Sequence, residues 1–298
     1  GLGALGVGLV GLVGQRIGGS RAGVVAASIA ALHPFWFQYP GFSSSEATFV
    51  LVMPGLLLAA LVALERRTAM SMIVLGAACA LAALTRSEAA LFTVVLGIPV
   101  ALLAGRSRRI RSVALVLVTA LLVVAPWVRW MNLNYGELTL SVQGGKTLLI
   151  SNCKDTYVGE AIGLPRCGFG YLALAGWGVP EDLTPARRSA AIDANARQLA
   201  IEYAKAHKGR LPAVAMARLG RTFGVYAPTT SIDFDRSIGA HPPTQRVGTV
   251  VHLLLLPLAL GPLLLGLPLG LLLSLAAGLF LGLAARLGLC LLLRLGEG

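Results

Sequence analysis

Apolar runs separated by short polar turns dominate the first 131 residues of the chain. A helix needs about 17–20 consecutive apolar residues to cross the hydrocarbon core of a bilayer, and several runs approach or exceed this length. Run lengths of this size favour helices over the shorter strands of a membrane barrel. The pattern therefore predicts about six spans in this part of the chain. The runs extend over Leu2–Gly14, Ala22–Phe37, Ala47–Leu64, Met70–Leu84, Ala89–Gly105 and Val113–Val128.

The pattern changes after Trp130. Residues 132–246 contain most of the acidic side chains and are interrupted by Pro, Gly and polar residues, so we expect them to lie outside the membrane. A further apolar span is predicted from Val247 to about Leu267. These features divide the chain into a transmembrane bundle, an extramembrane domain and C-terminal transmembrane segments. The three parts comprise residues 1–131, 132–246 and 247–298.

The tail, Pro268–Leu293, is rich in leucine and glycine and of low complexity. It is compatible with one more span that ends near Arg286, or with a span followed by a re-entrant end.

The extramembrane domain is predicted to contain both strand and helix. A short strand is expected over Thr139–Val142. Thr184 and Pro185 are typical of a helix start, with Thr as the cap and Pro at the first helical position, which predicts a helix over Ala186–His207. A second helix is predicted over Leu211–Tyr226, and its arginines indicate a basic amphipathic helix that lies on lipid headgroups. The fold class is therefore an all-α polytopic membrane protein with a mixed extramembrane domain.

Composition supports a membrane protein and argues against nucleic acid as the partner. The chain is 56% hydrophobic and 13% charged, whereas soluble domains carry about 25% charged residues. The net charge of +12 is explained by arginines at the membrane edges.

The distribution of Lys and Arg predicts the orientation in the membrane. The turns at 15–21, 65–67 and 106–111 contain two, two and four Lys or Arg, whereas those at 38–46 and 85–88 contain none and one. Strict alternation places the arginine-rich turns in the cytoplasm. The other turns and the 132–246 domain then lie on the extracytoplasmic side of the plasma membrane.

Three charged residues in the outward turns are candidates for a binding site: Glu46, Arg86 and Glu88. Charged residues at membrane depth are costly and often mark functional sites. The planar fork of donors on Arg86 suits a phosphate group. Two structural explanations remain open, since Glu46 could cap a helix that begins after Ser43–Ser45, and Arg86 could be a snorkelling side chain paired with Glu88.

The cysteines predict a structural disulfide. Cys153 and Cys167 lie in the domain assigned to the oxidising side of the membrane, which permits a bond between them. Cys79 and Cys290 lie in apolar runs and are expected to be core residues.

No metal site or nucleotide site is predicted. His33 and His241 each stand alone in the sequence, and no paired metal-ligand spacing is present. Gly144-Gly145-Lys146 lacks the remainder of a phosphate-binding loop. The residues indicate no cofactor and leave a divalent metal undecided.

Several stretches resemble the polyprenyl-phosphate-sugar glycosyltransferases of the GT-C fold, in the group of protein mannosyltransferases and aminoarabinose lipid A transferases. The resemblance covers most of the chain from Arg16 to about Tyr226, although each motif is short. Leu84–Glu88 is similar to the family's Leu-Thr-Arg-Pro-Glu, with Ser87 in place of Pro. The other matching stretches are Arg16–Gly23, Ser45-Glu46, Ala125–Trp127, Gly144-Gly145, Ser151-Asn152-Cys153, Tyr157-x-Gly159 and Cys167.

The resemblance implies transfer of a sugar from a polyprenyl-phosphate donor to a protein, lipid or glycan acceptor on the extracytoplasmic face. It implies that Arg86 stabilises the leaving phosphate, that Glu88 positions Arg86, and that Glu46 orients the acceptor, the sugar or the donor pocket. The family's catalytic acidic residues lie in a loop after the first span, and we expect that span and loop to precede residue 1, so no catalytic base is assigned. A transporter or flippase for a lipid-linked or small anionic substrate is the alternative function. The clustering of polar residues at one face and the long outer domain favour the transferase.

Overall fold

The computed structural model describes residues 1–33, 45–105, 108–237 and 242–264, and these residues form helices without strands. They divide into two compact units, a membrane unit from residues 1–126 with 243–264, and a second unit from residues 127–242. The all-α polytopic class predicted from the sequence is confirmed. Within the described residues, four helical segments are long and apolar enough to cross a membrane: Leu2–Leu32, Thr48–Arg66, Ser87–Gly105 and Arg109–Tyr135.

The first helical segment, α1 (Leu2–Leu32), is a helical hairpin. The backbone leaves the helical conformation at Gly19, with φ 80° and ψ −177°, inside the basic turn predicted at 15–21. The two halves then pack side by side, so that a Cβ added to Gly23 would lie 2.8 Å from the carbonyl oxygen of Gly11. The two predicted apolar runs are thus two arms of one element. The part of the second run beyond His33 lies outside the described residues.

The next two predicted spans form an antiparallel pair, α2 (Ser45–Arg66) and α3 (Ala69–Thr85). Local hydrogen bonds fix the start of α3. Thr68 and Ser71 form a capping box, in which each side chain accepts a hydrogen bond from the other residue's backbone N–H. The core of the unit lies between these helices and the two that follow. Its most deeply buried side chains include Leu56, Ala63, Leu75, Cys79, Ala101 and Val116.

The fifth apolar run forms a less regular helix. It begins with a 3₁₀ turn, Ser87–Ala90, continues through a π-helical turn, Thr93–Gly97, and ends as α4 (Ile98–Gly105). The sixth run becomes α5 (Arg109–Tyr135), which contains Pro126. All six apolar runs are therefore helical wherever the structure describes them.

The second unit is built from short helices packed on one long helix, and its described part contains no strand. The elements are α6 (Gly144–Ile150), α7 (Lys154–Tyr157), α8 (Phe169–Gly176), α9 (Pro185–Ala206), α10 (Leu211–Thr222) and α11 (Pro228–Ser237). A core of Leu149, Ala175, Ala196 and Ala200 joins α6, α8 and α9.

The strand predicted over Thr139–Val142 was wrong. This segment consists of bends and irregular backbone. Its carbonyl oxygens accept from side chains: Thr139 Oγ1 donates to the Ser141 carbonyl oxygen, and the Trp127 indole donates to the Leu140 carbonyl oxygen. Side chains that bond to nearby backbone groups compete with strand pairing. The predicted mixed domain is therefore helical where the structure describes it.

The two longer helices of this domain were predicted nearly correctly. α9 begins with Thr184 as its cap, whose hydroxyl accepts from the Arg187 N–H, and with Pro185 in the first turn. α10 ends at Thr222, earlier than predicted, because the chain turns at Gly224, where φ is 70°. The last described helix is α12 (Pro242–Leu264), which belongs to the membrane unit. The predicted tail, Pro268–Leu293, lies outside the described residues.

Candidate functional site at one end of the membrane helices

The predicted site residue Arg86 lies at the C-terminal end of α3. The helix stops there because the backbone of Arg86 is extended, with φ −146° and ψ 121°, and its N–H still donates to the Ala82 carbonyl oxygen. Thr85 Oγ1 donates to the same oxygen at 2.7 Å. The Ser87–Ala90 turn starts directly afterwards, and this change of direction presents the Arg86 and Glu88 side chains together.

Arg86 and Glu88 form an ion pair with unequal exposure. Glu88 Oε1 accepts from Arg86 Nε at 2.7 Å and contacts Arg86 Nη2 at 2.5 Å. The Arg86 side chain is 8% exposed, whereas that of Glu88 is 62% exposed. The guanidinium is thus held in the protein, while the carboxylate faces the surroundings.

The beginning of α2 lies beside this pair. The guanidinium carbon of Arg86 is 5.8 Å from the ring centroid of Phe49, which is buried and follows the first residue of α2 by four positions. Such a cation–π contact helps to hold the guanidinium in place. Glu46 lies in this first turn of α2, but its side chain and the stretch Gly41–Ser44 lie outside the described residues.

The opposite end of the same helices carries a second ion pair. Arg16, near the turn of the α1 hairpin, donates to Glu65 at the C-terminal end of α2. Two of the arginine-rich turns, at 15–21 and 65–67, therefore share one end of the unit. Phe49 and Glu65 are separated by about four turns of α2, or roughly 24 Å along the helix axis.

Helix α12 contains a row of buried polar side chains that was not predicted from the sequence. Gln245, Thr249 and His252 are each less than 9% exposed and lie three or four residues apart, on one face of the helix. His252 interacts electrostatically with His33, a long-range proximity that the sequence does not show. The signal available in the sequence was the spacing of the three polar residues at the start of a run that otherwise appeared apolar.

The predicted disulfide between Cys153 and Cys167 is present, with a Cα–Cα distance of 5.9 Å. It closes a loop that surrounds the buried Tyr157, whose hydroxyl donates to Asn152 Oδ1 at 2.8 Å. Burial raises the pKa of the Tyr157 hydroxyl, and the nearby positive charge of Arg218 opposes this shift. The disulfide and the tyrosine together organise a compact loop, which agrees with a structural role for the cysteines.

The arginines of the α10 region hold this loop through hydrogen bonds to backbone carbonyl oxygens, and the prediction that the helix lies on lipid headgroups stays a prediction. Arg210 Nη2 donates to the Tyr157 carbonyl oxygen at 2.9 Å, and Arg218 donates to the Ser151 carbonyl oxygen. Arg221 is 6% exposed, and its guanidinium donates to the carbonyl oxygens of Glu160, Ile162 and Ala227. Backbone carbonyls are strong acceptors that need a partner when they are buried, so they attract these side chains inward.

Reduction of the disulfide should destabilise the second unit by about 3 kcal/mol, the value expected for a cross-link that closes a loop of about 15 residues. We expect thiol reagents to leave Cys153 and Cys167 unlabelled in the native protein without reductant. The Cys153→Ser variant should then expose one reactive thiol and lower the urea midpoint of the second unit. Labelling of both cysteines in the untreated protein would contradict the bond.

Lys146 and Asp193 connect α6 with α9. The Lys146 N–H donates to Asp193 Oδ1 at 2.9 Å, and Lys146 Nζ donates to Ser189 Oγ at the same distance. Burial lowers the pKa of the Lys146 ammonium, while the charge of Asp193 opposes that shift. Gly144-Gly145-Lys146 is thus a helix-packing element, in agreement with the absence of a phosphate-binding loop in the sequence.

No metal site accompanies the Arg86 pair among the residues that the structure describes. No group of three or more His, Cys, Asp and Glu in the described part of the chain could hold a metal ion. An open depression of about 510 Å³ lies in the second unit, beside the exposed Trp177 and Arg188, and none of the predicted site residues lines it.

Comparison with known proteins links the membrane helices to one family. Residues 2–130 match the family model of dolichyl-phosphate-mannose-protein mannosyltransferases. No curated protein and no solved structure matches the chain. The match agrees with the resemblance stated from the sequence: residues 2–130, less than half of the chain, are similar to the membrane glycosyltransferases of this family.

Proposed function

We propose that the protein transfers a sugar from a polyprenyl-phosphate donor to a protein, lipid or glycan acceptor on the extracytoplasmic face of the plasma membrane. The observation that carries the proposal is the Arg86–Glu88 pair beside the first turns of α2, within the residues that match the family. The family is named for a lipid-phosphate sugar, dolichyl-phosphate mannose, which supports a donor of this chemistry. The disulfide between Cys153 and Cys167 supports an oxidising, extracytoplasmic environment for the second unit.

Arg86 is proposed to bind the donor phosphate. Its guanidinium is held by burial and by the Phe49 ring, whereas its partner Glu88 is mostly exposed and free to move aside. A phosphate offers the same kind of anionic oxygen pair as a carboxylate, so it can take the place of Glu88 on the guanidinium. When the bond between sugar and phosphate breaks, negative charge grows on the leaving phosphate, and a fixed cation stabilises that charge.

The other two residues have supporting roles in the proposal. Glu88 keeps the guanidinium oriented before the donor binds, which lowers the reorganisation needed at that step. Glu46, in the first turn of α2, is assigned to the acceptor or sugar side of the site. The proposal includes no general base among the described residues, and its test depends only on binding of the donor.

Replacement of Arg86 by alanine should weaken binding of the donor lipid about 10- to 100-fold, since hydrogen bonds to charged groups contribute about 1.5–3 kcal/mol. The measurement is a titration of the purified chain in detergent with a fluorescent short-chain polyprenyl phosphate, followed by anisotropy. Arg86→Lys should recover part of the affinity, because it restores the charge without the planar fork.

The control is Arg16→Ala, which breaks the more exposed ion pair at the other end of the membrane unit and should leave donor affinity unchanged. A polyprenol without phosphate should bind wild type and Arg86→Ala equally. Equal affinity of wild type and Arg86→Ala for the phosphorylated lipid would remove Arg86 from the donor site.

A further inference from the structure

The exposed surface of α10 is entirely apolar. Met216 is 67% exposed, Leu219 is 51% exposed and Leu211 is 38% exposed. The exposed residues of the helix are Leu211, Pro212, Ala213, Ala215, Met216 and Leu219. Helices of soluble proteins present polar residues to water and apolar residues to the core, so this surface is the reverse of the usual arrangement.

The charged residues of α10 face the protein interior. Arg221 is buried and bonds to backbone carbonyls, and Arg218 donates to the carbonyl oxygen of Ser151. Val214 and Ala217 are buried on the same side. Because the arginines point inward, the outer side of α10 carries no charged side chain.

The apolar surface extends past the helix and has a cationic border. After α10 ends, Val225 and Tyr226 remain 62% and 41% exposed. Before it begins, Lys205 and Lys208 are exposed. A continuous apolar patch with a charged border marks a surface that binds a partner or a membrane.

We propose that α10 is an interfacial helix, which lies in the headgroup region of the bilayer with Leu211, Ala215, Met216 and Leu219 toward the acyl chains. The second unit is attached to the membrane through the chain itself, since it follows the candidate span α5 and precedes the predicted span in α12. The bilayer surface is therefore within reach of α10. Exposed lysines at the border of the patch match the negative surface of anionic lipids.

A protein partner is the less suitable occupant of this surface. Protein interfaces carry hydrogen-bonding groups and a polar rim around a smaller apolar centre, and about one hydrogen bond is formed per 100–200 Å². The exposed side chains of α10 provide no donor or acceptor at all. An apolar helix face with basic residues beside it has the composition of helices that lie in a membrane interface.

The test places an environment-sensitive fluorophore on α10 in the full chain. Met216→Cys is labelled with nitrobenzoxadiazole in a background in which Cys79 and Cys290 are replaced by alanine, and the protein is reconstituted in vesicles of phosphatidylcholine and phosphatidylglycerol. Lipids with brominated acyl chains quench a fluorophore that touches them. We expect the label to lose about half of its fluorescence, because interfacial helices lie about 5–10 Å into the boundary between headgroups and acyl chains.

The control label is placed at Gln198, an exposed position on the polar side of α9, and should not be quenched. A label at Leu219→Cys should repeat the result at position 216 and guards against a folding defect in one variant. Blue-shifted emission without quenching would mean that protein covers the helix, and emission typical of water would mean that nothing does. Either outcome at both positions would overturn the proposal.

Discussion

Replacement of Arg221 by methionine is expected to lower the free energy of opening of the second unit by about 4 kcal/mol, which places it among the largest single-residue effects. The guanidinium donates to the carbonyl oxygens of Ile162 at 2.8 Å and Glu160 at 2.6 Å. It also donates to Ser231 Oγ at 3.0 Å, so one side chain links the disulfide loop to α11. Methionine has a similar volume but no donor, and the carbonyl oxygens would lose their partner in a buried site.

The measurement is hydrogen exchange of backbone amides in the reconstituted full chain, which reports local opening free energies. Exchange should accelerate in residues 159–163 and 223–231. The matched control is Arg236→Met, since Arg236 is exposed on α11 and its replacement should change opening by less than about 0.5 kcal/mol. Equal protection in both variants would show that the bonds of Arg221 contribute little.

The membrane helices could be predicted because their signal is local. A run such as Ala47–Leu64 specifies a spanning helix by its length and composition alone, and α2 has nearly the predicted bounds. The caps at Thr68 and Thr184 depend on residues three positions apart, which a sequence displays directly. The sequence also predicts that the arginine-rich turns share one end of the helices, since they alternate with turns that contain few Lys or Arg. The ion pair between Arg16 and Glu65 joins two of these arginine-rich turns.

The contacts that define the second unit could not be predicted, because they join residues far apart in the chain. The arginines of α10 have the spacing of a basic surface helix, and nothing local reveals that Arg218 and Arg221 reach carbonyl oxygens about 60 residues earlier. Thr139–Val142 has β-branched residues typical of a strand, yet a strand forms only where a partner exists. Whether this segment forms a strand therefore depends on contacts with distant parts of the chain, which the local sequence does not show.

The candidate site was predictable in part. Arg86 and Glu88 are two residues apart, so their pairing in a turn follows from the sequence. The contact between Arg86 and Phe49 depends on the packing of α3 against α2 and appears only in the structure. The buried row Gln245, Thr249 and His252 was hidden because three polar residues hardly change the mean hydropathy of a long apolar segment.

Replacement of Gly145 by alanine is expected to destabilise the second unit by about 4 kcal/mol, since overpacking against a rigid backbone is more costly than the usual 1–3 kcal/mol. A Cβ added at this position would lie 1.8 Å from the carbonyl oxygen of Asp193. A normal contact needs about 3.5 Å, so α6 and α9 would have to separate by roughly 1.5 Å. That separation would also stretch the bond from the Lys146 N–H to Asp193 Oδ1 and loosen the core around Leu149.

The adjacent glycine provides the matched control for Gly145→Ala. A Cβ added to Gly144 would lie 3.9 Å from Arg197 Nη2, an ordinary van der Waals contact. Gly144→Ala should therefore stay within about 1 kcal/mol of wild type, on the stabilising side, because alanine favours the helix more than glycine does. Pulse proteolysis in urea gives the midpoint of each variant. A large drop for Gly145→Ala alone means that the Gly-Gly pair is retained for the close approach of two helices, whereas equal midpoints would mean that α6 can move away from α9 at little cost.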